Sequence, residues 1–166
     1  LFISIVNSAL TVKEILWAKT FLNNHVHLLQ DEIKSSVTEM CMAKIDFELG
    51  SFEASLLRLQ NIKTKNPEAQ FQIKVILLKI CFELSLYNEA DLAIDSLRHL
   101  LVKAEKSFSP LIYDSYRNFL KYYSIIIKAK EKNKKAELKS VLVQLKNNPS
   151  TEAHKWLLNK ARIFAD

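Results

Sequence analysis

The feature that most constrains this chain is a hexapeptide that occurs twice, 35 residues apart. The sequence KIDFEL at residues 44–49 returns as KICFEL at residues 79–84, with Asp46 replaced by Cys81. A period of this length, filled with helix-forming residues, is typical of a stacked helical repeat. Downstream positions match in the same register: Phe52 with Tyr87, Ser55 with Ala90, Leu57 with Leu92, Leu59 with Ile94, and Ile62 with Leu97.

Composition supports helices throughout. The 166 residues include one glycine and three prolines. Strands and hairpins need turn residues that this chain does not supply. The sequence therefore predicts an all-α protein, long enough to bury roughly 70% of its unfolded surface.

Helix stop and start signals divide the chain into units. Gly50 can adopt the left-handed conformation that ends a helix. Asn66-Pro67 is expected to close one unit, Ser109-Pro110 to open a longer helix, and residues 128–135 to form a solvated, lysine-rich connection. We predict one domain over residues 1–166, with approximate units 1–30, 31–67, 68–106 and 109–148 and a terminal helix at 150–165.

This pattern resembles the tetratricopeptide repeat. The resemblance implies a right-handed superhelical stack of antiparallel helix pairs with about eight to nine helices. The chain departs from the family because the early Trp is missing, Ser55 replaces the usual Ala, and the third unit is expanded. The positions near the family's small, aromatic and proline sites are Met42 or Ala43, Gly50, Phe52, Ser55, Leu59 and Pro67, then Ile76, Leu77, Tyr87, Ala90, Ile94 and Leu97.

The whole chain also resembles a group of uncharacterised bacterial proteins with degenerate repeats of this type. That resemblance implies a fold rather than an activity. It rests on Trp17-Ala18 with Phe21, the turn at residues 50–53, Phe119-Leu120, and Trp156-Leu157-Leu158.

The family binds extended peptides or partner helices on the concave face of its first helices. Lys, Phe and Glu recur there at equivalent positions, which could grip an acidic, partly apolar segment. The alternative is that Phe47 and Phe82 are core and that the Lys and Glu side chains are solvated. The family register places these residues on the concave face: Met40, Lys44, Phe47, Glu48, Val75, Lys79, Phe82 and Glu83. Met40 and Val75 stand where the family's carboxylate clamp needs Asn and Lys, so we do not predict that activity.

The net charge of +6 favours acidic partners in general. A lysine-rich stretch at residues 121–146, interleaved with Tyr122 and Tyr123, could contact phosphates or a lipid surface. No nucleic-acid-binding module accompanies it, so nucleic acid is not the expected partner.

Catalytic and metal-binding motifs are missing from the sequence. There is no glycine-rich phosphate loop, nucleophile elbow or His-Glu metal motif. His25 and His27 lack a third ligand, and Cys41 and Cys81 are expected to be reduced core residues. We therefore predict no enzyme activity, no cofactor and no metal site.

The opening run, Leu1 to Val6, is too short to span a bilayer and does not look like a signal peptide. We expect a cytoplasmic location and a sequence that forms the C-terminal part of a longer protein. The predicted function is a protein-interaction or scaffold module that binds a protein or peptide. The alternative is a purely structural or self-associating repeat segment that supports an upstream domain.

Overall fold

The computed structural model describes residues 1–105 and 107–165, and within them the chain is helical with no strand. One short 3₁₀ helix, Val26–Leu28, lies between the second and third α-helices. The all-α class is therefore confirmed. The α-helices of the described residues are α1 (Phe2–Thr11), α2 (Ile15–His25), α3 (Asp31–Glu48), α4 (Phe52–Asn61), α5 (Pro67–Glu83), α6 (Tyr87–Ala104), α7 (Pro110–Lys132), α8 (Lys135–Lys146) and α9 (His154–Ala165).

The chain divides into two compact units, Leu1–Leu84 and Ser85–Asp166. The first contains α1 to α5, and the second contains α6 to α9. The division falls inside the predicted repeat unit 68–106, between its two helices. The predicted end of that unit, Lys106, lies outside the described residues.

One turn recurs between consecutive helices. The first helix ends, one residue adopts a positive φ angle, the next has φ between −83° and −96° and ψ between 59° and 81°, and the second helix begins. Gly50 and Ser85 have φ angles of 78° and 57° at equivalent points of the hexapeptide repeat, and Lys13 and Asn133 have φ angles of 67° and 51° at corresponding turns. The backbone therefore repeats the same connection between helices. Of the four residues with a positive φ angle in these turns, Gly50 is the one glycine, the residue type that adopts this conformation without strain.

Two of the three X-Pro pairs, Asn66-Pro67 and Ser109-Pro110, start helices. The Asn66 side chain accepts a hydrogen bond from the Ala69 N–H, and Pro67 is the first residue of α5. Ser109 caps α7 in the same manner. Asn66-Pro67 therefore begins the next helix as well as separating it from α4, because proline at the first helical position lacks only a donor that the helix would leave unused.

In the first unit, each helix packs on the next, and α3 also packs on both α1 and α5. The odd-numbered helices are thus adjacent to one another. Ala18 of α2 is buried. The core between α1, α2 and α3 consists of Val6, Ala9, Leu10, Ala18, Leu22, Cys41 and Ile45.

In the second unit, α7 packs on α6, α8 and α9, and α8 packs on α9. The prediction of a solvated connection at residues 128–135 is wrong. Helix α7 continues to Lys132, because Ile126, Ile127 and Ala129 keep an apolar face buried while Lys128 and Lys132 stay exposed. The turn is reduced to Asn133 and Lys134.

Among the described residues, no helix combines the length and the apolar character needed to cross a lipid bilayer.

Candidate functional site

The eight residues predicted to line a binding groove all lie on α3 and α5 of the first unit. Their four apolar members, Met40, Phe47, Val75 and Phe82, are buried. Phe47 is 8% exposed and Phe82 is 1% exposed. These rings form part of the core, in agreement with the alternative interpretation of the repeat. Binding at the eight positions stays a prediction, and its aromatic anchors are not on the surface.

The four charged members, Lys44, Glu48, Lys79 and Glu83, are partly exposed. They lie within the layer formed by α1, α3 and α5, which we call the odd-helix layer. The polar side chains of this layer are the candidate site that the structure leaves at the surface.

Lys44 connects the three helices of the odd-helix layer. Its Nζ atom donates hydrogen bonds to Asn7 Oδ1 of α1 and to Gln72 Oε1 of α5, each 2.8 Å long. Gln72 in turn donates to Glu68 Oε1 at 3.4 Å. A charge-assisted bond to an amide oxygen holds the lysine in place, and the same amide keeps its N–H groups as donors, as the Gln72 bond to Glu68 shows.

Glu48 is held by a residue that the sequence did not single out. Lys13, in the turn between α1 and α2, places its Nζ atom 2.7 Å from Glu48 Oε2. The Lys13 side chain is mostly exposed, so this ion pair contributes little to stability. It does fix the position of a cation beside the end of α3.

Lys79 covers the edge of the core. Its Nζ atom lies 4.1 Å from the centre of the Phe47 ring, a cation–π geometry. Phe47 also packs against Phe52 of α4, with ring centres 5.3 Å apart. The charged residue, and not the ring beneath it, is what a partner would meet at this point.

Sequence reasoning missed Asn7, Lys13 and Gln72. A signal for Asn7 exists: it precedes the positive-φ residue Lys13 by six positions, as Lys44 precedes Gly50 and Lys79 precedes Ser85. Aligning the turns therefore places Asn7, Lys44 and Lys79 at one equivalent position. The hexapeptide alone could not show this, because α1 does not share its letters.

In the second unit, the lysine-rich stretch at residues 121–146 exposes most of its lysines but not its two tyrosines. Tyr122 and Tyr123 are both buried, so their rings are not available to stack on bases. Lys130 is drawn toward the protein, with its Nζ atom 3.0 Å from Ser85 Oγ and 5.6 Å from the centre of the Phe164 ring. Other lysines of this stretch are exposed.

The cysteines are core residues, as predicted. Cys41 and Cys81 are buried, and neither forms a disulfide. Burial raises the pKa of the Cys41 thiol to about 11, against a smaller opposite effect of the nearby Lys44 charge. A thiol protonated at neutral pH and shielded from solvent is a poor nucleophile.

Among residues 1–105 and 107–165, no three His, Cys, Asp or Glu side chains are grouped so that they could hold a metal ion. Comparison of the chain with family models, curated proteins and solved structures finds no match. The resemblance to the tetratricopeptide repeat therefore stays a prediction.

Proposed function

We propose that this protein is a non-enzymatic protein-interaction or scaffold module, built as a right-handed stack of antiparallel helix pairs of the tetratricopeptide type. Two observations support the architecture. The turn between consecutive helices recurs with a positive-φ residue at Lys13, Gly50, Ser85 and Asn133. In the first unit, α3 contacts both α1 and α5, so that first helices of successive pairs are neighbours.

The binding surface we propose is the odd-helix layer of the first unit. The observation that carries it is the Lys44 network, in which one side chain joins α1, α3 and α5 at a partly exposed position. Lys79 occupies the equivalent position one repeat later. Fixed lysines and amides on a rigid surface suit the carboxylates and backbone carbonyls of an extended segment.

The test replaces the two equivalent cations by neutral helix formers, as Lys44→Gln with Lys79→Gln. The matched control is Lys19→Gln with Lys63→Gln, which removes the same charge from exposed positions elsewhere in the first unit. Proteins captured from the native lysate by the unaltered chain are then produced separately, and their affinities for the three forms are measured. We expect the Lys44 and Lys79 variant to bind roughly tenfold more weakly and the control to bind unchanged.

Hydrogen exchange provides the second measurement. A bound partner is expected to protect amides of α1, α3 and α5 more than those of α2 and α4. Equal affinity of all three forms, with the protection elsewhere, would refute this surface while leaving the fold untouched. Circular dichroism of each variant confirms that helix content is retained.

The alternative function, a structural or self-associating segment, is favoured by a different surface. On α2, Leu16 is 78% exposed and Trp17 is 51% exposed, and Trp17 stacks on Phe21 at 5.3 Å. An exposed apolar patch of this kind marks an interaction site more often than a random surface does. A molar mass that rises with protein concentration, and that returns to the monomer value in Leu16→Ser, would favour self-association.

A further inference from the structure

The charge of this protein is concentrated in one hairpin. Residues 121–146 contain eight lysines and two glutamates, a net charge of +6, which equals the net charge of the whole chain. The same residues contain no arginine and no histidine. They form the second half of α7, the turn, and α8.

The lysines of α7 form a stripe. Lys121, Lys128 and Lys132 are exposed, and their spacings of seven and four residues place them on one side of a helix with 3.6 residues per turn. The stripe extends about 16 Å along the helix axis. The opposite side of α7 is apolar and buried, so this stripe is its outward surface.

The lysines of α8 form a second stripe. Lys135, Lys139 and Lys146 are exposed and spaced by four and seven residues. Gln144 follows Lys135 by nine residues, which is two and a half turns, so the two residues lie on opposite sides of α8. Lys121 Nζ donates a hydrogen bond to Gln144 Oε1 at 3.1 Å. Lys121, the first residue of the α7 stripe, therefore reaches α8 on the side away from the α8 stripe.

The hairpin itself supplies two acidic side chains and eight lysines. Glu137 lies 3.8 Å from Lys134 Nζ, a residue outside both stripes, and Glu131 stands next to Lys130 and Lys132 in the last turn of α7. Two carboxylates thus stand among eight ammonium groups. The resulting field attracts a partner that carries many negative charges.

The geometry points to the form of that partner, and we propose that the α7–α8 hairpin binds a flexible, Asp/Glu-rich polypeptide segment. A rod-like duplex or a flat membrane can meet one stripe at a time, whereas a flexible chain can pass from one side of α8 to the other. Single-stranded nucleic acid is flexible too, but it is bound through exposed aromatic rings, and Tyr122 and Tyr123 are buried. Lysine without arginine supplies point charges that need no fixed carboxylate geometry.

The probe is a fluorescent acidic peptide of about 20 residues, in which Glu and Asp alternate with Ser. Extended, it spans up to about 66 Å, enough to follow both stripes and cross the 10–12 Å width of a helix. Binding is measured by anisotropy at several salt concentrations. A duplex of about 20 base pairs, an oligothymidylate and vesicles with anionic lipid are measured in the same way.

Three variants of equal charge separate the contributions. One removes the α7 stripe (Lys121→Gln, Lys128→Gln, Lys132→Gln), and one removes the α8 stripe (Lys135→Gln, Lys139→Gln, Lys146→Gln). The control removes three exposed lysines elsewhere (Lys19→Gln, Lys63→Gln, Lys103→Gln). We expect either stripe variant to weaken peptide binding roughly tenfold, the control to leave it nearly unchanged, and affinity to fall as salt rises.

Four outcomes would overturn the proposal. They are no peptide binding at low salt, tighter binding of the duplex, oligothymidylate or vesicles than of the peptide, an equal loss in the control, and dependence on one stripe alone. The Lys44 and Lys79 variant should bind the peptide normally, because those residues belong to the first unit. Failure of this proposal is thereby distinguished from failure of the surface proposed for the odd-helix layer.

Discussion

Gly50 and Ser85 occupy the same point of the repeat and share a positive φ angle, yet one is glycine and the other is not. An L-residue in this region costs about 1–2 kcal/mol, whereas glycine has no such penalty. A Cβ atom built on Gly50 meets no heavy atom within 4 Å. The backbone angle alone therefore sets the cost of a side chain there.

Replacing Gly50 tests this argument. We expect Gly50→Ala to lower the free energy of unfolding by about 1 kcal/mol, because the methyl group strains the left-handed backbone without a clash. Gly50→Asn should cost less, since Asn tolerates this conformation. Urea denaturation gives both values. Equal losses in the two variants would mean that something other than the φ angle determines the cost.

Cys41 makes stability depend on pH in the alkaline range. Burial raises the pKa of its thiol from 9.0 to about 11. Above pH 9 the unfolded chain releases this proton while the folded chain retains it, so the unfolded state is favoured as pH rises. The stabilising contribution is complete below pH 9 and is lost between pH 9 and 11.

We therefore expect the free energy of unfolding to fall by about 2 kcal/mol by pH 10.5 through this thiol. Tyrosine and lysine titrations also act there, so Cys41→Ala is measured beside the unaltered protein from pH 8 to 10.5. The variant starts less stable but should lose less with pH. Parallel pH profiles would show that Cys41 does not titrate differently on folding.

At the level of elements, the two hexapeptides differ at one position, Asp46 against Cys81, and Asp46 has a partner in the next helix. Asp46 Oδ2 of α3 accepts a hydrogen bond from Arg58 Nε of α4 at 2.6 Å, and Arg58 also lies 3.3 Å from Glu39. The bond to Asp46 raises the pKa of Arg58 above its ordinary value. At the corresponding positions of the next repeat, Cys81 and Ala93 replace the charged pair, and both are buried.

Because the two residues are replaced together in the next repeat, we expect the stability losses caused by mutating Asp46 and Arg58 to be non-additive. Arg58→Ala leaves the largely buried Asp46 carboxylate without its guanidinium, and Asp46→Cys leaves Arg58 with Glu39 alone. We expect the double variant to lose about 1 kcal/mol less than the sum of the two single losses. Urea denaturation of the four proteins gives the coupling. Strictly additive losses would mean that the ion pair does not contribute to stability.

Helix α7 shows how an element can mislead at the sequence level. Its last turns are dense in lysine, which suggests a solvated connection. The same turns carry Ile126, Ile127 and Ala129 on the inner side, and this apolar stripe extends the helix to Lys132. Basic side chains near a helix C-terminus also interact favourably with the helix dipole.

At the level of the whole molecule, charge separates the two units. Residues 1–84 contain nine basic and nine acidic side chains, so the excess of +6 lies entirely in residues 85–166. The first unit presents lysines held by amides and by an aromatic ring, and the second presents exposed stripes. The two proposed surfaces therefore differ in chemistry, and each can be tested without altering the other.

The sequence by itself determined what depends on neighbours along the chain. Helical periodicity, the scarcity of glycine and the left-handed turn at Gly50 act over a few residues, and they suffice to predict an all-α chain. The repeated hexapeptide predicted a helical repeat, and the resemblance to the tetratricopeptide repeat supplied the helix pairs and the number of about eight to nine helices.

Only the tertiary structure decided which repeated residues remain at the surface. Phe47 and Phe82 are buried, and Lys44 is fixed by Asn7 and Gln72, residues 37 and 28 positions away. Whether a repeated Phe is a surface anchor for a partner or a core residue depends on the helices packed around it. The local sequence pattern does not identify those helices. Burial is a property of the assembled layers, so the site had to be taken from the fold.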